Sequence, residues 1–286
     1  MSSGHRHYLD TAGARLCMTL RGQGPPLVLL HGGPGVGDYL GDSDMAAWLS
    51  ERYTVCAYDQ RGCRDSHSDG PFTLAANVED LEAVRLYLGG GVFTLVGHSW
   101  GAFLGLYYAA YHPQAVRRLV LISPVPPRTG WQRRRHQLLD ARHTPSQRAE
   151  LERINAAIAR TRDAAARERL YLEHFNAALP SYPAPAHRAV APRIEWYSRK
   201  INVETMADLH RVYADRSWEA GLRRFRAPTL IVHGREDIIP WSAVAVLESL
   251  VPHARLVGLD NCGHFPWLET AHAMRQLLEG FLFGSS

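Results

Sequence analysis

The sequence predicts an α/β protein, with a mostly parallel central sheet flanked by helices and a helical cap inserted into it. Three observations lead there. Short apolar runs recur along the 286 residues, helical patterns separate most of them, and the alternation stops between Pro124 and about Arg226. Residues 1–123 and 227–286 are accordingly expected to form the α/β core, and residues 124–226 the cap.

In chain order, residues 6–21 alternate around Thr11-Ala12-Gly13, the pattern of an antiparallel hairpin at a sheet edge. Leu27–Leu30, Tyr53–Tyr58, Val92–Val96, Leu119–Ile122, Thr229–Val232 and Arg255–Leu259 follow as strands. Their continuous apolar character suits strands buried on both faces. Between the second and third of these runs, Thr73 to Leu88 reads as a helix. Thr73 is its N-cap, and Leu74, Val78, Leu81 and Leu88 form its apolar stripe. The expected cap opens with Pro124-Val125-Pro126-Pro127, contains a helix over Ser146–Arg160 with Leu151, Ile154 and Ile158 on one side, and is split by a proline-rich stretch from Pro180 to Pro192.

Composition bounds the function. Hydrophobic residues make up 46% and charged residues 21%, an ordinary globular balance. No apolar run approaches the ~20 residues that span a bilayer, and the stretch from Met1 to Asp10 is polar and lacks a signal-peptide core, so a cytoplasmic protein without a membrane partner is expected. Cys17, Cys56, Cys63 and Cys262 are scattered without a C-x-x-C pair, which indicates neither a disulfide framework nor a zinc site. The net charge is +4, and the densest basic cluster is Arg128, Arg133, Arg134, Arg135 and Arg142. No interleaved aromatics or nucleic-acid module accompany it, so it reads as a solvated helical face and nucleic acid is not an expected partner.

The chemistry centres on Gly97-His98-Ser99-Trp100-Gly101, which follows one predicted strand and precedes a helix-compatible run, Ala102 to Ala110. A G-x-S-x-G segment in that setting is a nucleophile elbow: a sharp turn lifts the serine hydroxyl above the sheet. A serine needs an adjacent base. Two later strands end in loops that can supply it together with an acid, His233-Gly234-Arg235-Glu236-Asp237 and Asp260-Asn261-Cys262-Gly263-His264. The order Ser99, Asp237, His264 is the nucleophile–acid–base order expected behind such an elbow. Glu236 and Asp260 are rivals for the acid. Fifteen histidines are present, and His264 stands apart by following the final strand. An acyl-transfer site also needs oxyanion donors. The Trp100 backbone N–H and that of Gly33, in His31-Gly32-Gly33-Pro34-Gly35, are the candidates.

His31-Gly32-Gly33-Pro34-Gly35, Asp59-Gln60-Arg61-Gly62-Cys63 and the tryptophan after Ser99 together resemble the proline iminopeptidase family of α/β hydrolases. The resemblance covers most of the chain, firmly in the core and loosely in the cap. It implies the α/β-hydrolase fold, release of an N-terminal residue from a short peptide or similar small substrate, and a Ser-Asp-His triad working without metal or cofactor. It further implies a structural role for Asp59–Gly62 beside the oxyanion loop, and a cis Gly33–Pro34 bond. Arg193-Ile194-Glu195-Trp196-Tyr197 resembles the family's cap segment Arg-Ile-Glu-x-x-Tyr, which makes Glu195 the candidate anchor for a substrate's α-ammonium. The family's second cap glutamate, in Trp-x-x-Trp-Glu, has no counterpart; Glu168 or Glu173 could replace it. His98 stands where the family has glycine, and Arg64-Asp65-Ser66 where it has Gly-Arg-Ser. These departures leave an ester, a lactone or a thioester open as the substrate, as well as a binding protein on the hydrolase scaffold.

Overall fold

The computed structural model describes residues 5–284, so Met1 to Gly4 of the polar N-terminal stretch lie outside the described residues. The predicted hairpin is β1 (His5–Thr11) and β2 (Ala14–Arg21), paired antiparallel and closed by the Thr11–Ala14 pair. Gly13, at φ +80°, makes the turn, a conformation that costs glycine little. β3 (Pro26–Leu30), α1 (Asp44–Leu49), β4 (Thr54–Tyr58), α2 (Leu74–Tyr87), β5 (Phe93–His98), α3 (Trp100–Tyr111) and β6 (Val116–Ile122) continue the alternation. After an inserted helical segment, β7 (Thr229–Gly234) and β8 (Ala254–Leu259) complete an eight-stranded sheet of order β1-β2-β4-β3-β5-β6-β7-β8. The pairs from β4 to β8 are parallel, and the hairpin adds the antiparallel edge.

Strand ends differ from the sequence reading for physical reasons. Val92 is half exposed and outside β5, because pairing with β6 begins at Phe93–Val116. β5 instead runs on through Gly97 and His98, directly into the serine turn. β8 is an edge strand and is only partly buried, unlike the two-faced burial expected of it. Thr73 does cap α2, accepting the Ala76 N–H at 3.2 Å, and Leu74, Val78, Leu81 and Val84 form its buried side.

Between β6 and β7 the chain forms α4 (Gln132–Arg142), α5 (Pro145–Arg160), α6 (Ala164–Ala178) and α7 (Arg199–Ala214), with two short 3₁₀ turns inside the proline-rich stretch. α5 begins with a capping box between Thr144 and Gln147, and Pro145 occupies its first turn, where the missing N–H costs nothing. The arginine cluster around α4 is not simply a solvated face. Arg133 and Arg134 are exposed, but Arg128 pairs with Glu219, Arg135 lines the main cavity, and Arg142 donates to the carbonyls of Ser181, Tyr182, Pro183 and Glu236. Among the described residues no helix is long and apolar enough to cross a membrane.

Chain order places the site. From β3 the chain moves outward to β4, then returns to the other side of β3 for β5. That reversal opens a crevice at the carboxyl ends of β3 and β5, where open α/β sheets bind ligands. Beside it, Arg61 makes a bidentate pair with Asp80, both bonds 2.8 Å and both side chains 1% exposed. Arg61 also donates to the carbonyls of Pro71, Ala12 and Ala76, and Thr11 donates to Asp80. Burial pushes the Asp80 carboxyl upward, and the bonds from Arg61 and Thr11 work against that. Removing one member strands a buried charge. Asp80→Ala is therefore expected to destabilise the fold by about 3–5 kcal/mol in denaturant titrations; a loss below about 1 kcal/mol would show that the pair is not what holds hairpin, loop and helix together.

Candidate active site

Ser99 sits between β5 and α3 at φ +54°, ψ −114°, a strained conformation for a residue with a side chain. The neighbouring glycines make the turn possible. A Cβ on Gly97 would lie 2.5 Å from the Gly101 carbonyl oxygen, and one on Gly101 would lie 2.2 Å from that of Leu30. Strand and helix thus pass at backbone contact. The Ser99 N–H donates to Ile122 at 2.9 Å, and its carbonyl accepts from Phe103 and Val125, which fixes the turn from both sides.

Three loops converge on this serine. His264 Nε2 lies 3.1 Å from Ser99 Oγ, and His264 Nδ1 lies 2.9 and 3.0 Å from the two oxygens of Asp237. All three side chains are buried. Burial raises the cost of ionising Asp237, but His264, His233 and the Ile239 N–H outweigh it and hold the carboxyl well below the usual carboxylate range. His233 packs behind it with Nδ1 3.5 Å from Oδ2, while its Nε2–H donates to the Ile239 carbonyl; burial pushes this imidazole below its ordinary value, against the pull of Asp237. The rival acids are elsewhere. Asp260 is 86% exposed beside Arg235, and Glu236 contributes backbone bonds to Cys262 and Arg142.

The histidine loop rests on a residue that sequence reasoning did not single out. Buried Glu269 accepts the N–H groups of Gly263, Phe265 and Ala184 at 2.6–2.7 Å, tying both flanks of His264 to the inserted segment. Nothing in the sequence around Glu269 signals this, because its partners are backbone groups.

The glycine loop after β3, residues 31–35, is held equally firmly. Gln60 donates to His31 through its backbone N–H and its side chain and accepts the Trp100 indole N–H at 2.8 Å. Gly33–Pro34 is cis. Tyr39 takes up the Gly32 N–H at 2.9 Å and donates to His98 Nδ1, while His98 Nε2–H donates to the His264 carbonyl at 2.8 Å. With Gly32 committed, Gly33 is the loop amide left beside the serine, and its N–H, like that of Trp100, has no hydrogen-bond acceptor among the described residues. A side chain at position 32 would meet the Tyr39 hydroxyl at 2.4 Å, so only glycine allows this approach. Tyr39 and His98 thus join the glycine loop to the histidine loop. The glycine expected from the family pattern at position 98 cannot make that link.

A cavity of about 1160 Å³ opens onto Ser99 and His264. Gly33, Val36, Val125 and Ile238 line it from the sheet side, and Leu139, Phe175, Tyr182, Ile194 and Met206 from the inserted segment. Glu195 is not among its lining residues. It is 71% exposed and pairs with Arg64 at 3.3 Å, so the expected ammonium anchor is not positioned for that role. The neighbouring Ile194 is the residue that turns inward, and Arg64, remote in sequence, captures the glutamate at the surface. Glu168 bonds the Arg199 N–H and Glu173 bonds Arg153; neither lines the cavity. Among the described residues, only Cys17, Asp59 and Asp65 bring three metal-ligating atoms together, and both Asp59 oxygens already accept backbone N–H groups from Asp38 and Asp65.

Burial, reinforced by the nearby His264, pushes His98 well below its ordinary value, so the folded state holds it neutral. Unfolding then takes up a proton once the pH falls below about 6.5, and stability falls with pH in that window. His98→Gln is expected to show a shallower fall between pH 7 and 5, by up to about 1.4 kcal/mol per pH unit. Unfolding curves with equal slopes for both proteins would contradict the neutral, doubly bonded His98.

Comparison with known proteins agrees with this architecture. Residues 25–271 match the α/β hydrolase fold family. A proline iminopeptidase of Lactobacillus delbrueckii subsp. bulgaricus is 30% identical over 275 residues, covering 90% of this chain and 89% of the relative. A cis-3-alkyl-4-alkyloxetan-2-one decarboxylase of Shewanella oneidensis is 27% identical, covering 91% and 82% respectively. The structure of a thermophilic esterase from Thermogutta terrifontis superposes with a TM-score of 0.70 at 20% identity, covering 98% of both chains. With its sheet order, its serine turn and a match across most of its length, the chain belongs to the α/β hydrolase fold family and is similar within it to the proline iminopeptidases.

Proposed function

We propose that this protein is a serine hydrolase that works through an acyl-enzyme on Ser99 and needs no cofactor. The observation that carries this reading is the unbroken chain from Asp237 through His264 to Ser99 Oγ at the edge of the cavity. Ser99 attacks the substrate carbonyl as His264 Nε2 takes its proton, and Asp237 stabilises the imidazolium. The Gly33 and Trp100 N–H groups receive the developing oxyanion. His264 then returns the proton to the leaving group, and water repeats the sequence to release the acyl group and free Ser99. Four free, buried cysteines suit a reducing compartment, which supports a cytoplasmic site of action.

Kinship with proline iminopeptidases supports release of an N-terminal residue as the first substrate reading. One observation favours a second, an ester, lactone or thioester. The acidic residues lining the cavity are Asp140 and Glu152, both exposed, so no buried carboxylate waits for an ammonium group.

Two assays test these readings. Ser99→Ala is expected to lower turnover of every substrate by about three orders of magnitude or more with the fold intact; near-normal activity would remove Ser99 from the mechanism. Aminoacyl arylamides, prolyl included, assayed beside short-chain aryl esters separate the substrate classes. Preference for the prolyl arylamide supports the exopeptidase, and turnover of esters alone supports the second reading.

A further inference from the structure

The cavity has a charge that neither the proposed chemistry nor the fold explains. Arg135, on α4, lines it partly buried and has no carboxylate partner among the described residues. One of its terminal nitrogens donates to the Tyr182 hydroxyl at 2.8 Å, and the guanidinium carbon lies 5.5 Å from the centre of that ring. Tyr182 packs edge-on against His264, with ring centres 5.7 Å apart, and stacks on Phe265. A single aromatic ring therefore separates this guanidinium from the imidazole that serves Ser99.

The position of Tyr182 is fixed. Its backbone carbonyl accepts from the His264 N–H and from Arg142, which also holds the carbonyls on either side. Arg135 is thus presented on a rigid mount, with most of its N–H groups unused. The other half-buried polar side chains on the helical wall include Gln132, His143, His174, Tyr197 and Asn202, none of them a carboxylate. His143 Nε2 is buried without a hydrogen-bond partner, and the lining carboxylates, Asp140 and Glu152, are exposed. An arginine that is partly desolvated and unpaired is costly unless an anion completes it, and its planar fork matches a carboxylate.

We infer that Arg135 is a specificity-determining residue, which binds a carboxylate of the substrate, remote from the scissile carbonyl, inside the cavity. The inference rests on the acyl-enzyme reading above and adds the substrate class. The carboxylate can belong to either side of the scissile bond, as in a dicarboxylic half-ester or at the carboxyl end of a short peptide.

Two matched pairs of aryl esters test it. Mono-4-nitrophenyl glutarate against its methyl-capped ester places the charge in the acyl part. The butyrate ester of 4-hydroxyphenylacetate against its methyl ester places it in the leaving group. The readout is the anionic-to-neutral ratio of kcat/KM, normalised to the same ratio for hydroxide. In at least one pair the ratio is expected at about ten or above, falling with added salt, collapsing to about one in Arg135→Gln and partly retained in Arg135→Lys. Which pair responds identifies the side that carries the carboxylate. Ratios of one or below in both pairs for the unaltered protein overturn the inference, as does a ratio that Arg135→Gln leaves unchanged. Should that variant not fold, the ratios of the unaltered protein and their salt dependence decide. Turnover of the neutral esters without an anionic preference overturns the carboxylate site alone, whereas no turnover of any ester or aminoacyl arylamide and no acylation of Ser99 overturns the acyl-enzyme reading with it.

Discussion

The contact between β5 and α3 at Ser99 governs the rest of the site. Gly97 and Gly101 let the two elements touch at backbone distance, and the residue between them is forced to positive φ with its hydroxyl raised toward the cavity. Such strain persists only where the surroundings over-determine it. Here β6 supplies an acceptor to the Ser99 N–H, and the first turn of α3 supplies a donor to its carbonyl. The same turn leaves the Trp100 amide at the start of the helix without an internal acceptor.

Around that turn, the loops are joined to one another and not merely to the sheet. Tyr39 and His98 connect the glycine loop after β3 to the histidine loop, Gln60 connects it to Trp100, and Glu269 binds the histidine loop to the inserted segment. Arg142 adds a second strut from α4 to the acid loop at Glu236 and to the turn that carries Tyr182. Movement of the inserted helices would therefore act on His264 and Asp237 directly. This arrangement couples the shape of the cavity to the position of His264, since groups that line the first also anchor the second.

Much of this was legible in the residues. The parallel strands could be read because they are continuous apolar runs, and the hairpin because Gly13 marks its turn. Ser99, Asp237 and His264 could be placed because each follows a strand in an order that one sheet topology explains. What escaped depends on tertiary geometry. Glu269 acts through backbone partners that carry no sequence signal, and Tyr39 matters only because the chain folds it against Gly32 and His98. Glu195 shows the opposite failure. Its local sequence resembles a ligand-binding segment, but which of two adjacent side chains turns inward is settled by packing, and Ile194 fills the core while Glu195 meets Arg64. The arginines of α4 look like a solvated face by composition, whereas Arg135 and Arg142 are distinguished only by the cavity and carbonyls they reach.

We propose Ser99 as a nucleophile activated by His264. Reaction with a fluorophosphonate, followed by intact-mass and peptide-mapping mass spectrometry, tests it most directly. One adduct per chain is expected, located on Ser99 and forming about a hundredfold or more slowly in His264→Ala. An adduct on another residue, or equal labelling with and without His264, would contradict it.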